Sequence, residues 1–156
     1  MNRRSFLSKN LVWVICLAGL ICLDGPAQNA SSEKNTRKIR LQLVWGTNEE
    51  KSPDENHKRL DAKHARKLRM FKWKHYFLVN ESVVEVKQSA PVKTRLSKEC
   101  EVQLKDAGND MLEVELWGKG KLTRRIKEKV TSEDSLTIAG DAENDSAWLI
   151  LIKEVK

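Results

Sequence analysis

Cys100-Glu101-Val102-Gln103-Leu104-Lys105-Asp106-Ala107-Gly108-Asn109-Asp110-Met111-Leu112-Glu113-Val114-Glu115-Leu116-Trp117 is the stretch that decides the fold class. Cys100, Val102 and Leu104 alternate with Glu101, Gln103 and Lys105; Leu112, Val114 and Leu116 alternate with Glu113, Glu115 and Trp117. Successive side chains of a strand point to opposite faces, so each half reads as a strand with one buried and one wet face. Asp106 to Asp110 has turn composition. The alternation therefore predicts an antiparallel meander with Cys100 inward, and an inward thiol in apolar surroundings is inert.

The same pattern continues on both sides. Downstream, Gly118-Lys119-Gly120 turns the chain into Lys121 to Val130, with Leu122, Ile126 and Val130 inward and Lys121, Arg125, Lys127 and Lys129 outward. Ser135 to Ile138 reads as a short strand ending at Gly140. After the acidic loop Asp141 to Asp145, Ala147-Trp148-Leu149-Ile150-Leu151-Ile152 is apolar on both faces and reads as the most buried strand.

Upstream, Ile39, Leu41, Leu43 and Trp45 share one face of a strand, and Lys38, Arg40 and Gln42 the other. Phe71, Trp73, His75, Phe77 and Val79 share a face of a second, Asn80-Glu81 reads as a turn, and Ser82 to Lys87 as a further strand. Ser89-Ala90-Pro91 punctuates the chain, since proline is unwelcome in a central strand. Only Lys58 to Met70 has helical spacing, with Leu60, Ala65 and Leu68 on one narrow side, which predicts a short surface helix. Strands at roughly ten-residue spacing without crossover helices predict an all-β fold, mainly an antiparallel β-sandwich or small barrel, with that helix on its surface.

The N-terminus is of a different kind. Met1 to Asn10 carries Arg3, Arg4 and Lys9 and no acid, Leu11 to Leu23 is an apolar run, and Asp24-Gly25-Pro26 breaks it before Ala27 and Ala30. This is the order of a cleavable signal peptide. As a helix, Leu11 to Leu23 reaches only about 20 Å, short of a bilayer core of about 30 Å; an uncleaved membrane-tethering helix is the alternative. Arg3-Arg4-Ser5-Phe6-Leu7 resembles a twin-arginine leader, with Asn2 where Ser or Thr is usual and Lys9 one place late. The resemblance implies a bacterial host and a domain that folds before export; the general secretory route is the other reading. Residues 1–30 are thus expected to be a signal peptide, 31–37 a polar tether and 38–156 a single β-rich domain, extracytoplasmic (periplasmic or secreted) after cleavage.

Composition agrees with a globular domain: 156 residues, 40% hydrophobic and 33% charged, with 7 Gly and 3 Pro. Cys16 and Cys22 fall in the leader, leaving Cys100 alone, so an internal disulfide is excluded from the domain. The chain holds 29 Lys and Arg against 22 Asp and Glu; Arg3, Arg4, Lys9 and Asp24 belong to the leader, which leaves 26 against 21. That mild excess favours solubility and names no partner.

Catalytic motifs are lacking: there is no Gly-x-Ser-x-Gly elbow, no His-Glu-x-x-His and no phosphate-cradling glycine loop. Catalytic, metal-ligating and cofactor-binding residues are therefore assigned to none, and no cofactor is expected. His57 and His64 lie seven apart around the short helix and lack a third ligand; His75 sits mid-strand between Trp73 and Phe77. A metal site or small enzyme converging on His57, His64 and His75 is the alternative function. The loop Asp141 to Ser146 places oxygens at alternate positions but lacks the central glycine and distal glutamate of a calcium loop.

Charge points more clearly. Lys58, Arg59, Lys63, Arg66, Lys67 and Arg69 cluster with Asp61 as the one nearby acid, a candidate surface for an anionic partner. Outside the cytoplasm such a partner is an anionic glycan, a membrane surface or an acidic protein rather than nucleic acid. The cations after Gly120 face Glu113 and Glu115 across a hairpin, which explains part of that second cluster by cross-strand pairing. Trp45, Trp73 and Trp148 read as core; Trp117, beside Glu113 and Glu115 on the outward face, is the candidate exposed aromatic contact. The reading as a whole is an exported, non-enzymatic β-sandwich module that binds a partner or serves a structural role.

Overall fold

The structure is a computed structural model and describes residues 36–156. The expected signal peptide and most of the tether, with any signal helix, lie outside the described residues. Nine strands and one short helix follow: β1 Arg37–Thr47, β2 Lys58–Arg59, α1 Ala62–Lys67, β3 His75–Val86, β4 Val92–Arg95, β5 Cys100–Asp106, β6 Met111–Gly118, β7 Lys121–Lys129, β8 Leu136–Ala142 and β9 Ser146–Val155. They form two antiparallel sheets, β2-β3-β1-β9-β8 and β4-β5-β6-β7. The fold is therefore an all-β sandwich with a six-residue helix. Among the described residues no helix is long and apolar enough to cross a membrane.

The inward faces meet as expected. Ile39, Leu41 and Leu43 of β1 and Ile150 and Ile152 of β9 pack in one core with Val102, Leu104, Leu112, Val114 and Leu116 of the other sheet. β9 is apolar on both faces because it has something to bury on both. Its Leu149 and Leu151, with Val44 and Tyr76, lie under a second cluster formed by Leu68 and Trp73, with Leu60, Ala65 and Phe71 packed against it. The segment holding α1 is thus a lid on the outer face of the five-stranded sheet.

Three local readings change. Helical backbone covers only Ala62–Lys67, with Asp61 as its N-cap accepting from the His64 N–H at 3.0 Å; Lys58 and Arg59 lie in β2, opposite Leu78 and Phe77. Asn80-Glu81 is not a turn: β3 runs through it, and Val79 is an extra residue between the Leu43–Asn80 and Val44–Leu78 pairs. A bulge reverses which residues face in, so Tyr76 and Leu78 serve the lid-side cluster while Val84 and Val86 on the far side of it serve the inter-sheet core. β7 is bulged likewise at Thr123, between the Leu116–Arg124 and Trp117–Leu122 pairs. Leu122 is consequently 42% exposed beside Trp117 instead of inward.

Hairpin turns follow from backbone sterics. Lys119 and Gly120, the two residues between the paired Gly118 and Lys121, both have positive φ, as a type I′ turn requires; the three-residue β8–β9 loop has positive φ at Asn144 and Asp145.

Candidate ligand cleft and basic surface

At one end the two sheets part. Trp45 of β1 and Trp148 of β9 are directly paired across the five-stranded sheet. The corresponding pair on the four-stranded sheet is Cys100 and Gly118, two small residues. Large side chains facing small ones leave space: a cleft of about 620 Å³ lined by these four and by Leu43, Val79, Leu116 and Trp117. Its polar lining is His57, Ser97, Glu99, Lys119, Lys121 and Thr123, of which the exposed Glu99, Lys119, Lys121 and Thr123 mark its mouth. A volume of that order, apolar walls and a few polar groups at one side are the usual make-up of a small-molecule site.

Gly140 holds one wall in place. It pairs with Trp148, and a Cβ there would run into the six-membered ring of that indole, so the ring lies across the glycine. Cys100 is half-buried in the cleft, and burial, then the negative charge of Glu101, pushes its thiol up to about 11. It is therefore a protonated, weakly reactive part of the wall near neutral pH.

Trp117 is outward, as expected, but not a bare platform. It is half-buried, the Lys93 ammonium sits 4.7 Å from its ring centroid, and its buried Nε1–H has no hydrogen-bond partner. Lys93 and Arg95 both pair with Glu101 at 3.0 Å, and their hydrogen bonds hold the Glu101 carboxyl below its usual range. Lys121 lines the cleft instead of the outer face, because the bulge sets it opposite Gly118. The outward pair Glu115–Arg125 does form, at 2.5 Å.

Lys58, Arg59, Lys63, Arg66, Lys67 and Arg69 are all exposed, and none is in an ion pair with another described residue. Arg59 donates to His75 Nδ1 at 2.8 Å. Asp61, the nearby acid, is engaged by His64, whose Nδ1 lies 2.6 Å from Oδ2. The His64 backbone N–H, followed by its side chain, holds that carboxyl below the usual range.

The three histidines have separate partners: His57 Nδ1 is 2.6 Å from Ser52 Oγ, His64 contacts Asp61, and His75 accepts from Arg59. Among the described residues, no group of three or more His, Cys, Asp or Glu side chains is arranged to hold a metal. In the acidic loop, Lys72 Nζ is 2.5 Å from Asp145 Oδ1, Asn48 donates to Oδ2 at 3.3 Å, and Trp73 Nε1 donates to the Asp145 carbonyl at 2.9 Å. Those oxygens serve as acceptors that fasten the lid segment to the β8–β9 turn.

The cleft is what the sequence reading missed. Trp45 and Trp148 were expected in the core, and they do lie on inward faces. What leaves them half-exposed is the Cys100–Gly118 pair opposite, visible only once the register of β5 and β6 is known. Comparison of the chain with protein-family models, with curated proteins and with solved structures found no match.

Proposed function

We propose that this protein is an exported, non-enzymatic β-sandwich module that binds an apolar ligand in the cleft between its sheets. One observation carries the reading: paired tryptophans, Trp45 and Trp148, face paired small residues, Cys100 and Gly118, around about 620 Å³ of apolar space. Apolar surface left open to water is costly at roughly 25 cal/mol per Å², and a ligand that covers it recovers that free energy. A second reading, an anionic partner such as a glycan, membrane surface or acidic protein on Lys58 to Arg69, is supported by six exposed cations, none in an ion pair among the described residues. In both readings the module works outside the cytoplasm, delivered by the leader at residues 1–30.

Titration with the neutral fluorophore N-phenyl-1-naphthylamine tests the first reading. We expect saturable binding to one site with quenching of tryptophan emission by energy transfer. Cys100→Phe, which fills the cleft, should weaken binding at least tenfold, while the charge-reversed pair Lys63→Glu/Arg66→Glu leaves it unchanged. Absence of binding, or equal binding by a folded Cys100→Phe protein, overturns it. The charge-reversed protein also tests the second reading, through loss of retention on an immobilised polyanion.

A further inference from the structure

From the polar groups at the mouth of the cleft we infer the class of ligand: a single-chain amphipath whose apolar body lies between the sheets and whose anionic head sits at the β6–β7 turn. The inference rests on the cleft reading above. The walls take only apolar groups, so discrimination falls to the mouth, and the mouth is short of acceptors. Among the lining residues Glu99 is the one acid, and Lys119 is already 3.8 Å from it. Lys121 has no acidic partner among the described residues, although it lies at the same mouth.

A further group points the same way. His57 meets Ser52 through Nδ1, while its Nε2 stands 3.9 Å from Asp54 Oδ2, beyond hydrogen-bond reach. The unpaired Lys121 ammonium, with the His57 imidazole among the same lining residues, favours a group that accepts hydrogen bonds and carries negative charge. Opposite Lys121 stands Gly118, with the Thr123 methyl packed over it, and a lysine stem can cover apolar surface while its head stays at the water boundary. Charge-assisted hydrogen bonds to such a head are about twice as strong as neutral ones. A carboxylate and a phosphate monoester share this chemistry.

The test compares dodecanoate, dodecyl phosphate, dodecanol and dodecylamine, each below its micellar concentration, by displacement of N-phenyl-1-naphthylamine from the full chain. Both anions should displace the probe at least fivefold more effectively than dodecanol, and dodecylamine should be the weakest. The better of the two anions identifies the head group. Lys121→Gln should abolish the preference for anions without changing the affinity for dodecanol, and circular dichroism confirms that it is folded. If dodecanol equals the anions, or if the preference survives Lys121→Gln, the head-group inference is wrong while the cleft reading stands. If the probe itself fails to bind, the cleft reading falls.

Discussion

Arg37, the first residue of β1, ties four parts of the chain together at the end of the sandwich away from the cleft. Its guanidinium lies 3.4 Å from Asp106 Oδ1 and 3.1 Å from Glu154 Oε2, and it donates to the carbonyls of Met111 and Val130. Burial works against its charge, but the hydrogen bond and charge of Glu154, with help from Asp106, leave its pKa raised. The pair with Asp106 is nearly dry, at 8% and 3% exposure. Removing one partner of a buried pair strands the other charge, at a cost of about 3–5 kcal/mol. Glu154 keeps contact with water, so Arg37→Met is expected to cost about 3 kcal/mol in urea unfolding, at the lower end of that range. Adding Asp106→Asn should recover part of the loss, because the stranded charge is gone. A loss below about 1 kcal/mol, the range of a surface pair, would show that the network is not a clasp. None of this was readable beforehand: Arg37 falls in the stretch read as tether, and its partners are 69 and 117 residues away.

The element that most needs fastening is the lid, because α1 is too short to hold itself together. A six-residue helix is far below the length at which helices persist alone. It stays through Leu68 and Trp73 beneath it, through the Tyr76 hydroxyl, which donates to the Leu68 carbonyl at 2.8 Å, and through the contacts to Asp145. The hydrogen bond from Lys72, followed by its charge, holds the Asp145 carboxyl below its usual range. A depressed carboxyl pKa adds stability above the unfolded value of about 3.9, and that stability is lost as pH falls through the folded value. Acid should therefore release Lys72 while the Trp73 indole keeps its carbonyl partner. An NMR titration of the Trp73 indole N–H should show a step with its midpoint below about 3.9, absent from Asp145→Asn. An unchanged step in that variant would assign it to another group. The faces of single strands were legible from alternation, and so was the doubly buried β9. The bulges at Val79 and Thr123 were not, since period-2 reading is correct on each side of an inserted residue and fails across it. β3 therefore runs on through Asn80-Glu81, whose composition suggests a turn, and Lys121 and Leu122 exchange the faces that uniform alternation predicts.

Across the molecule, chain order and spatial order disagree in a way that bears on export. β1, the first strand, is flanked by β3 and by β9, the last strand, so the centre of the five-stranded sheet is completed only when the C-terminal residues are present. Contacts between the two ends of a chain make folding slow, and the five-stranded sheet stays incomplete while synthesis is under way. If the chain is exported, as proposed, a domain of this topology either folds once it is finished and before it crosses, or crosses unfolded and folds beyond the membrane. Arg3-Arg4-Ser5-Phe6-Leu7 resembles the leader of the route that carries folded cargo, and a domain with Cys100 as its one cysteine gains no disulfide by waiting for an oxidising compartment. We therefore expect Arg3→Lys/Arg4→Lys to abolish export in a bacterial host, with the precursor accumulating in the cytoplasm, as read by fractionation. The clasp at Arg37 provides a second arm: if folding precedes export, Arg37→Met should lower the exported fraction together with stability. The general secretory route prefers unfolded chains and would export that variant undiminished. Unimpaired export of both variants would assign the leader to the secretory route and place folding after translocation, with β1 waiting on the far side of the membrane for β9 to arrive.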